Sequence, residues 1–520
     1  MKRWIAPLVL AVLCANLRGN AQKASASPAQ LAQSHITRAK QLLAEHDFER
    51  GKSEIDEAIK IDPNSSEAYQ LLGQISLQNG RVPEAVSAFE RALKLKPDSF
   101  SAHYGLGMAR LREQNIEAGI RELRTAVSLR PSDIDANYNL GVLLLDQGRP
   151  AAAITHLQKA RALGGERADV AYNLIRAELA CGKPDEAREV GMKAATSLGR
   201  DSTWLAAVGR LFLESHRLED GIAYLERALI LSPGAVETKR RLAAAYLETN
   251  QPGQVLSLIN SPQSAEDYYL QASANYLLRQ YDPATHDAES AVRMDPGNPQ
   301  YMLLAARIDQ HLGRNESALS MLEQAIKAAP KWAELYYSAG VSLYCEKRYA
   351  EAGKYLRKSL TLQPDFPRAL FLYSVSLVSE GNNEEGEEHL QKAIALDPGN
   401  VHFRYYLGEI LIRENKLQDA EEAYRQAIRI DPKYAPLHYQ LGKILLRFNH
   451  PDLAAKETEE AIRYDPGLAA AYYQLIQAYN KLGEKEKSSR AASIFATLKK
   501  QDAGDKDQFY NKVKKELGLP

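Results

Sequence analysis

Apolar and small residues recur along most of the chain at helical spacing, in segments of about fourteen residues separated by short polar turns. Residues 66–99 show the pattern: a first segment centred on Gly73 is followed, after a turn containing Asn and Gly, by a second with Ala85, Phe89 and Ala92 three to four residues apart. This spacing places the apolar side chains on one face of each segment. The pattern therefore predicts two amphipathic helices joined by a turn.

Prolines end the second helix of each pair at a period of 34 residues, because proline lacks the amide hydrogen that a continuing helix needs. Glycine replaces proline at Gly165 and Gly199, and one interval, from Pro233 to Pro262, is 29 residues. The prolines that end second helices are Pro63, Pro97, Pro131, Pro233, Pro262, Pro296, Pro330, Pro364, Pro398, Pro432 and Pro466. This period predicts thirteen repeats from Ala32 to Leu468 and a degenerate fourteenth from Ala469 to about Gln501.

Small residues stand at fixed places in the repeat, where two helices must approach closely. The eighth position is often glycine, and the twentieth and twenty-seventh are mostly alanine. Glycine inside a helix costs about 1 kcal/mol relative to alanine, so its recurrence at one phase indicates a packing requirement. The glycines are Gly73, Gly107, Gly141, Gly209, Gly340, Gly408 and Gly442.

The 34-residue period, the large-x-x-large-small first helix, the Ala-aromatic-Ala second helix and the terminal proline resemble the tetratricopeptide repeat family. The resemblance implies an all-α, right-handed superhelical solenoid whose first helices line a concave groove. The predicted organisation is a cleaved signal peptide, an unstructured leader, six repeats, a shortened repeat that could act as a hinge, a second repeat block and a charged helical tail. Their ranges are 1–21, 22–31, 32–235, 236–264, 265–502 and 503–520.

The amino terminus has the features of a secretory signal. Lys2 and Arg3 precede an apolar run from Trp4 to Leu13, and small residues follow up to Ala21. About ten apolar residues are too few to span a bilayer, and Leu13 before the cysteine that follows it does not fit a lipoprotein signal. We therefore expect cleavage after Ala21, a periplasmic or secreted protein, and no transmembrane segment in the mature chain.

The charge and the cysteine content exclude several classes of protein. The chain has 66 Lys plus Arg and 66 Asp plus Glu, so its formal net charge is zero. A chain without excess positive charge is not expected to bind nucleic acid. Removal of residues 1–21 takes away three basic residues and no acid, so 63 against 66 leaves the mature chain at −3. Three cysteines cannot form a disulfide framework.

No catalytic or metal-binding motif is found in the sequence. Gly105 and Gly107 resemble part of a dinucleotide fingerprint but lie inside a first helix, and the 11 histidines lack ligand spacing. Because the repeats occupy residues 32–468, no length remains for a catalytic domain. We therefore expect neither enzyme activity nor a cofactor nor a metal.

One constellation remains as a candidate binding site: aromatic residues at the fifth position of the repeats, with cations one helical turn later at the ninth. Such rings and cations could hold an extended peptide or a sugar chain, and in the resembled family this phase faces the concave groove. Alternatively, the rings pack against the adjacent first helix. Ala206 and Arg240 interrupt the stripe. The candidates are Tyr104, Tyr138, Tyr172, Arg176, Arg210, Tyr269, Arg307, Tyr337, Phe371, Tyr405, Tyr439, Lys443 and Tyr473.

The sequence thus predicts an exported, non-enzymatic scaffold that binds protein or peptide partners and serves in assembly or organisation of envelope or secreted proteins. The alternative is a glycan-handling periplasmic module associated with polysaccharide export or secretion.

Overall fold

The computed structural model describes residues 27–501, with side chains as far as Lys499, and these residues form 28 α-helices and no β-strand. The predicted signal peptide and charged tail lie outside the described residues. The helices are α1 Pro28–Ala44, α2 Phe48–Ile61, α3 Ser66–Gln78, α4 Val82–Leu95, α5 Phe100–Arg112, α6 Ile116–Leu129, α7 Ile134–Asp146, α8 Pro150–Gly164, α9 Ala168–Ala180, α10 Pro184–Leu198, α11 Ser202–Glu214, α12 Leu218–Leu231, α13 Val236–Glu248, α14 Pro252–Leu258, α15 Ala265–Leu277, α16 Tyr281–Met294, α17 Pro299–His311, α18 Asn315–Ala328, α19 Ala333–Cys345, α20 Tyr349–Leu362, α21 Pro367–Ser379, α22 Asn383–Leu396, α23 Val401–Arg413, α24 Leu417–Ile430, α25 Ala435–Arg447, α26 Pro451–Tyr464, α27 Ala469–Leu482 and α28 Lys485–Gln501.

Helix starts and turns follow from local chemistry. Ser65, Ser99 and Asp133 stand before first helices, and each side-chain oxygen accepts a hydrogen bond from an amide in the first turn of the helix. Between the two helices of a repeat, one residue takes a left-handed conformation, which glycine adopts without strain. Gly80 has φ 72° there, and Asn449, with φ 58°, takes the same role.

The first helix begins earlier than predicted. The sequence indicated an unstructured leader over residues 22–31, but α1 starts at Pro28. Ser27 and Gln30 form a reciprocal capping box, in which each side chain bonds the other residue's backbone amide, and Pro28 is suited to the first helical position. These local interactions extend the helix by four residues before Ala32.

The two helices of a repeat meet at the glycine of the eighth position. A Cβ atom added to Gly73 would lie 2.7 Å from a ring carbon of Phe89, and one added to Gly408 would lie 2.3 Å from Tyr424. Alanines at the twentieth and twenty-seventh positions are no more than 2% exposed. They are Ala58, Ala85, Ala92, Ala126, Ala153, Ala160, Ala187, Ala194, Ala228, Ala284, Ala291, Ala318, Ala325, Ala352, Ala393, Ala420, Ala427, Ala454 and Ala461. The predicted all-α solenoid of paired helices is confirmed.

The described chain divides into two compact units, one up to Ala245 and the other from Tyr246 onward. The shortened repeat contains α13, of 13 residues, and α14, of only seven. Whether residues 236–264 act as a hinge stays a prediction. In the last repeat, α28 exposes charged side chains such as Lys485, Glu486 and Arg490 to solvent. Across residues 27–501, no helix is both long enough and apolar enough to cross a bilayer.

The contact between Gly408 and Tyr424 yields a stability prediction. The Gly408→Ala substitution forces the Tyr424 ring out of its place and should destabilise the repeat by about 1–3 kcal/mol. The control is Gly253→Ala in α14, where an added Cβ meets no atom within 4 Å. Because alanine favours a helix over glycine, the control should stabilise α14 by roughly 0.5–1 kcal/mol. Hydrogen exchange of residues 401–434 and 252–258 measures both effects, and unchanged exchange in Gly408→Ala would contradict the prediction.

Candidate functional site

Within each of the two units, first helices of neighbouring repeats lie against one another, and we call the surface that they form in each unit the first-helix face. In the N-terminal unit α1 contacts α3, α3 contacts α5, α7 contacts α9 and α9 contacts α11. In the C-terminal unit α15, α17, α19 and α21 contact one another in sequence, and α25 contacts α27. The rings of the fifth position and the cations of the ninth lie on these helices.

Tyrosines of the fifth position reach across to the next first helix. The Nδ2 atom of Asn139 donates a hydrogen bond to the phenolic oxygen of Tyr104 at 2.6 Å, and Asn173 donates to Tyr138 at 3.3 Å. In both pairs the amide stands at the sixth position of the following repeat. The tyrosine therefore fixes the distance between two neighbouring first helices.

The C-terminal unit repeats this arrangement with other donors and with ring contacts. Gln300 donates to the phenolic oxygen of Tyr269 at 2.9 Å. The rings of Phe371 and Phe403 are stacked with centroids 5.2 Å apart, and the ring of Tyr337 lies 5.0 Å from that of Phe366. Ring pairs at such distances contribute about 0.5–1.5 kcal/mol beyond their buried area. Packing against the adjacent first helix is therefore a principal role of this position.

Burial sorts the predicted aromatic residues into three groups. Phe371 and Tyr405 are only 5% and 2% exposed, because neighbouring side chains enclose them. Tyr473 is 51% exposed and offers its ring to solvent. The half-buried group, which keeps part of each ring accessible, comprises Tyr104, Tyr138, Tyr172, Tyr269, Tyr337 and Tyr439. Ligand binding by these residues stays a prediction.

Burial also changes the acidity of the rings. It raises the pKa of Tyr337 to about 12, and it raises the pKa values of Tyr104, Tyr138 and Tyr439 above the usual range. These phenols are therefore neutral at physiological pH. A neutral phenol keeps its hydrogen and can accept the amide hydrogen bond described above while donating to a further group.

The cations of the ninth position differ in how strongly they are engaged. Arg176 forms an ion pair with Asp146 at 2.8 Å, and Arg307 pairs with Glu334 of the next first helix. Arg210 lies on the exposed surface with only a distant contact, 3.8 Å, to Glu214. Lys443 is exposed as well. Arg210 and Lys443 are thus the cations most available to an incoming ligand.

Two cavities of the N-terminal unit occur where the fifth position carries no ring. One, of 430 Å³, is lined by Gln70, which holds that position in α3, together with Phe100 and Tyr104 of the following first helix. The other, of 310 Å³, is lined by Ala206 of α11 and by Arg241 of α13. The interruption at Ala206 was noted in the sequence as a break in the stripe, but the space that it leaves was missed.

Sequence reasoning also missed a recurring pair inside the repeats. His35, His103 and His438 stand at the fourth position, and each Nδ1 atom contacts a glutamate 19 residues later at 2.6 to 2.8 Å. His438 also contacts the Pro432 carbonyl oxygen through Nε2 at 3.0 Å. Burial alone would lower the pKa of His438, but the bonds to Glu457 and Pro432 outweigh burial and raise the pKa. The constant spacing of 19 residues was the available signal.

Within the described residues, no group of three or more His, Cys, Asp or Glu side chains is placed to hold a metal ion. Cys181 and Cys345 are both half-buried rather than buried.

A pair of substitutions separates packing from accessibility. Tyr405→Ala removes a ring in contact with Tyr434 and Tyr424 and should destabilise its repeat by about 3–5 kcal/mol. Tyr473→Ala removes a ring that is half in solvent and should cost less than about 1 kcal/mol. Hydrogen exchange of residues 401–434 and 469–499 measures both costs. Equal losses in the two variants would show that burial does not distinguish these positions.

Comparison with known proteins finds a curated relative and several solved structures to which this chain is similar. The Small glutamine-rich tetratricopeptide repeat-containing protein 2 of Mycosarcoma maydis is 28% identical over 97 residues, which cover 18% of this chain. The chain thus spans 28% of the length of that relative.

Three solved structures illustrate the likeness. The Cut9–Hcn1 structure of an APC/C hetero-tetramer is 14% identical, covers 87% of this chain and 98% of its own, and has a TM-score of 0.42. YrrB is 20% identical, covers 36% of this chain and 98% of its own, and has a TM-score of 0.32. MamA is 22% identical, covers 33% and 94%, and has a TM-score of 0.30.

Family models for the tetratricopeptide repeat match more than half of the chain. One model matches residues 36–100, 77–134, 104–166, 303–367, 374–435 and 439–505, and a second matches residues 144–211. These ranges fall on the helix pairs described above and include repeats of both units. The chain therefore belongs to the tetratricopeptide repeat family.

Proposed function

We propose that this chain is an exported, non-enzymatic scaffold whose first-helix face binds extended peptide segments of envelope or secreted proteins. Tetratricopeptide repeats serve in general as scaffolds for interaction between proteins. The observation that carries the proposal further is the composition of the accessible part of this face. Half-buried tyrosine rings such as Tyr439 lie there, and the ninth position carries an exposed cation in the repeats of Arg210 and Lys443.

A peptide fits this surface better than a sugar chain does. An extended peptide presents side chains, carbonyl groups and carboxylates to partly exposed rings and to guanidinium or ammonium groups. Stacking on a sugar requires an open ring face, and the ring of Phe371 is already stacked on that of Phe403. Tyr473 is the predicted ring with about half its surface in solvent. Glycan binding is therefore the alternative outcome of the experiment below.

The binding experiment screens the chain from Gln22 onward against a phage-displayed library of random dodecapeptides and against a glycan array. We expect enrichment of peptides that bind wild-type protein. Changing Arg210, Lys443 and Tyr473 together to Ser should raise their Kd about ten-fold or more, which corresponds to about 1.4 kcal/mol. These three side chains are exposed, so the variant should fold as the wild type does.

The matched control changes exposed residues of second helices, Arg121, Lys358 and Met192, together to Ser. We expect this control to bind the selected peptides with wild-type affinity. If the control loses as much affinity as the first-helix variant, the first-helix face is not the binding surface. Enrichment of glycans alone, with loss in the first-helix variant, would replace the peptide proposal by the glycan one.

Export rests on the amino-terminal sequence and is tested separately. The full chain expressed in a Gram-negative host should be recovered in the periplasmic fraction with Gln22 as its first residue. Val9→Arg places a charge within the apolar run, so the precursor should then be retained in the cytoplasm; Val9→Leu keeps the run and should be processed normally. Mass spectrometry of both fractions reads the result, and an uncleaved wild-type chain in the cytoplasm contradicts export.

A further inference from the structure

The cavity beside Ala206, which we call the aromatic slot, belongs to the first-helix face of the N-terminal unit and has a volume of 310 Å³. Ala206, Ala207 and Arg210 of α11 line it on one side, and Thr238 and Arg241 of α13 line it on the other. Leu225 and Ala228 of α12 add apolar contacts. Glu237, Ser202 and Thr203 line it as well, so the slot combines alanine and leucine side chains with two guanidinium groups, one carboxylate and hydroxyl groups.

The slot lies at the place that a ring fills in the preceding repeats. The fifth position is Tyr104, Tyr138 and Tyr172 in three successive first helices, and Ala206 in the next. A methyl group here replaces a phenol ring that would bridge two first helices. Two other exceptions to the ring pattern, Leu303 of α17 and Ile36 of α1, bury their own side chains at this position.

The group facing the missing ring also differs. The sixth position of the following repeat is an amide where it holds a tyrosine, as Asn139 holds Tyr104 at 2.6 Å. Beside the aromatic slot this sixth position is Arg241. An amide suits a neutral phenol, whereas a guanidinium suits a carboxylate because it can donate two parallel charge-assisted hydrogen bonds.

Both arginines of the slot are available to a ligand. The side chains of Arg210 and Arg241 are 44% and 42% exposed, and their carboxylate neighbours are Glu214 at 3.8 Å and Glu237 at 2.8 Å. Each pair lies within one helix at i, i+4 spacing. Exposed pairs of this kind contribute only about 0–1 kcal/mol, so an incoming carboxylate can replace the glutamate at little cost.

We propose that the aromatic slot binds an aromatic side chain of a partner peptide that carries an acidic residue next to it. The ring of the partner occupies the space beside Ala206 and Leu225, and the acidic side chain pairs with Arg210 and Arg241. This proposal rests on the proposed function and assigns one subsite of the peptide-binding face. Aromatic and arginine side chains that are desolvated in pockets are the groups that contribute most to binding at protein interfaces.

The test fills the slot from within the chain. The Ala206→Tyr substitution supplies the ring that Tyr172 supplies one repeat earlier. The probe is a fluorescent peptide with the core Asp-Phe-Asp between Gly-Ser flanks, and its binding to the chain from Gln22 onward is measured by fluorescence anisotropy. We expect wild-type protein to bind this probe and Ala206→Tyr to bind it at least about ten-fold more weakly. A probe with Ala in place of Phe should bind wild-type protein as weakly as the Asp-Phe-Asp probe binds Ala206→Tyr.

The matched control makes the same chemical change elsewhere in the same repeat. Ala223 is exposed on α12 and does not line the slot, so Ala223→Tyr should keep wild-type affinity. The circular dichroism spectrum of Ala206→Tyr should match that of the wild type. Its Tm should be equal or higher, because the new ring packs into the space beside Leu225.

A second variant tests the charge. Arg241→Gln should weaken the Asp-Phe-Asp probe several-fold and flatten its dependence on salt, while the affinity for an Asn-Phe-Asn probe stays unchanged. Equal effects on both probes would mean that Arg241 does not pair with the acidic side chain of the peptide, and that part of the proposal would be wrong.

Two outcomes separate the slot from the general function. In the first, library-selected peptides bind the wild type and lose affinity in the Arg210, Lys443 and Tyr473 variant, while Ala206→Tyr binds every peptide as tightly as the wild type. In that case the slot does not bind the peptide, and the scaffold proposal stands. If no library peptide binds wild-type protein, the scaffold proposal fails. If the Asp-Phe-Asp probe does not bind wild-type protein, the proposal for the aromatic slot is wrong in either case.

Discussion

The close contact between a glycine of the first helix and a large side chain of the second is the constraint on which the rest of this structure depends. Gly73 lies under Phe89, Gly141 under Leu157 and Gly408 under Tyr424, always sixteen residues apart. In these repeats the missing Cβ makes room for the large side chain. Because the two helices meet so closely, their outer faces are left to pack on the neighbouring repeats, and the first helices come into contact with one another.

The same geometry explains why the fifth position has two roles. A ring placed between two first helices both spaces them and forms part of the surface that they expose. Where the ring is enclosed, as in Tyr405, its contribution is to stability. Where part of it stays in solvent, as in Tyr439, the same residue type can also contact a ligand. The exposed fraction of each fifth-position ring therefore decides whether it serves in packing alone or can also contact a ligand.

Sequence periodicity predicted the helices and their pairing because these depend on contacts within a repeat, such as that of Gly73 with Phe89, which recur at constant spacing. It could not decide which rings are accessible, since that depends on the next repeat. Phe371 is enclosed partly because Phe403 follows it, and Tyr473 is exposed despite the same phase. The start of α1 was missed for a different reason: the capping box of Ser27 and Gln30 is local and lies outside the period.

The exceptions to the period are informative because each must be compensated or leave a space. Leu303 compensates for the missing ring by burying its own side chain, and Ile36 does the same in α1. Ala206 cannot, since a methyl group does not span the distance between two first helices, and a cavity with two arginines results. A space left open between two first helices forgoes the packing contacts that a ring would make there. A sequence that specifies tyrosine at this position in three preceding repeats and alanine here therefore trades packing for an open site, and departures of this kind are where function is expected in a repeat protein.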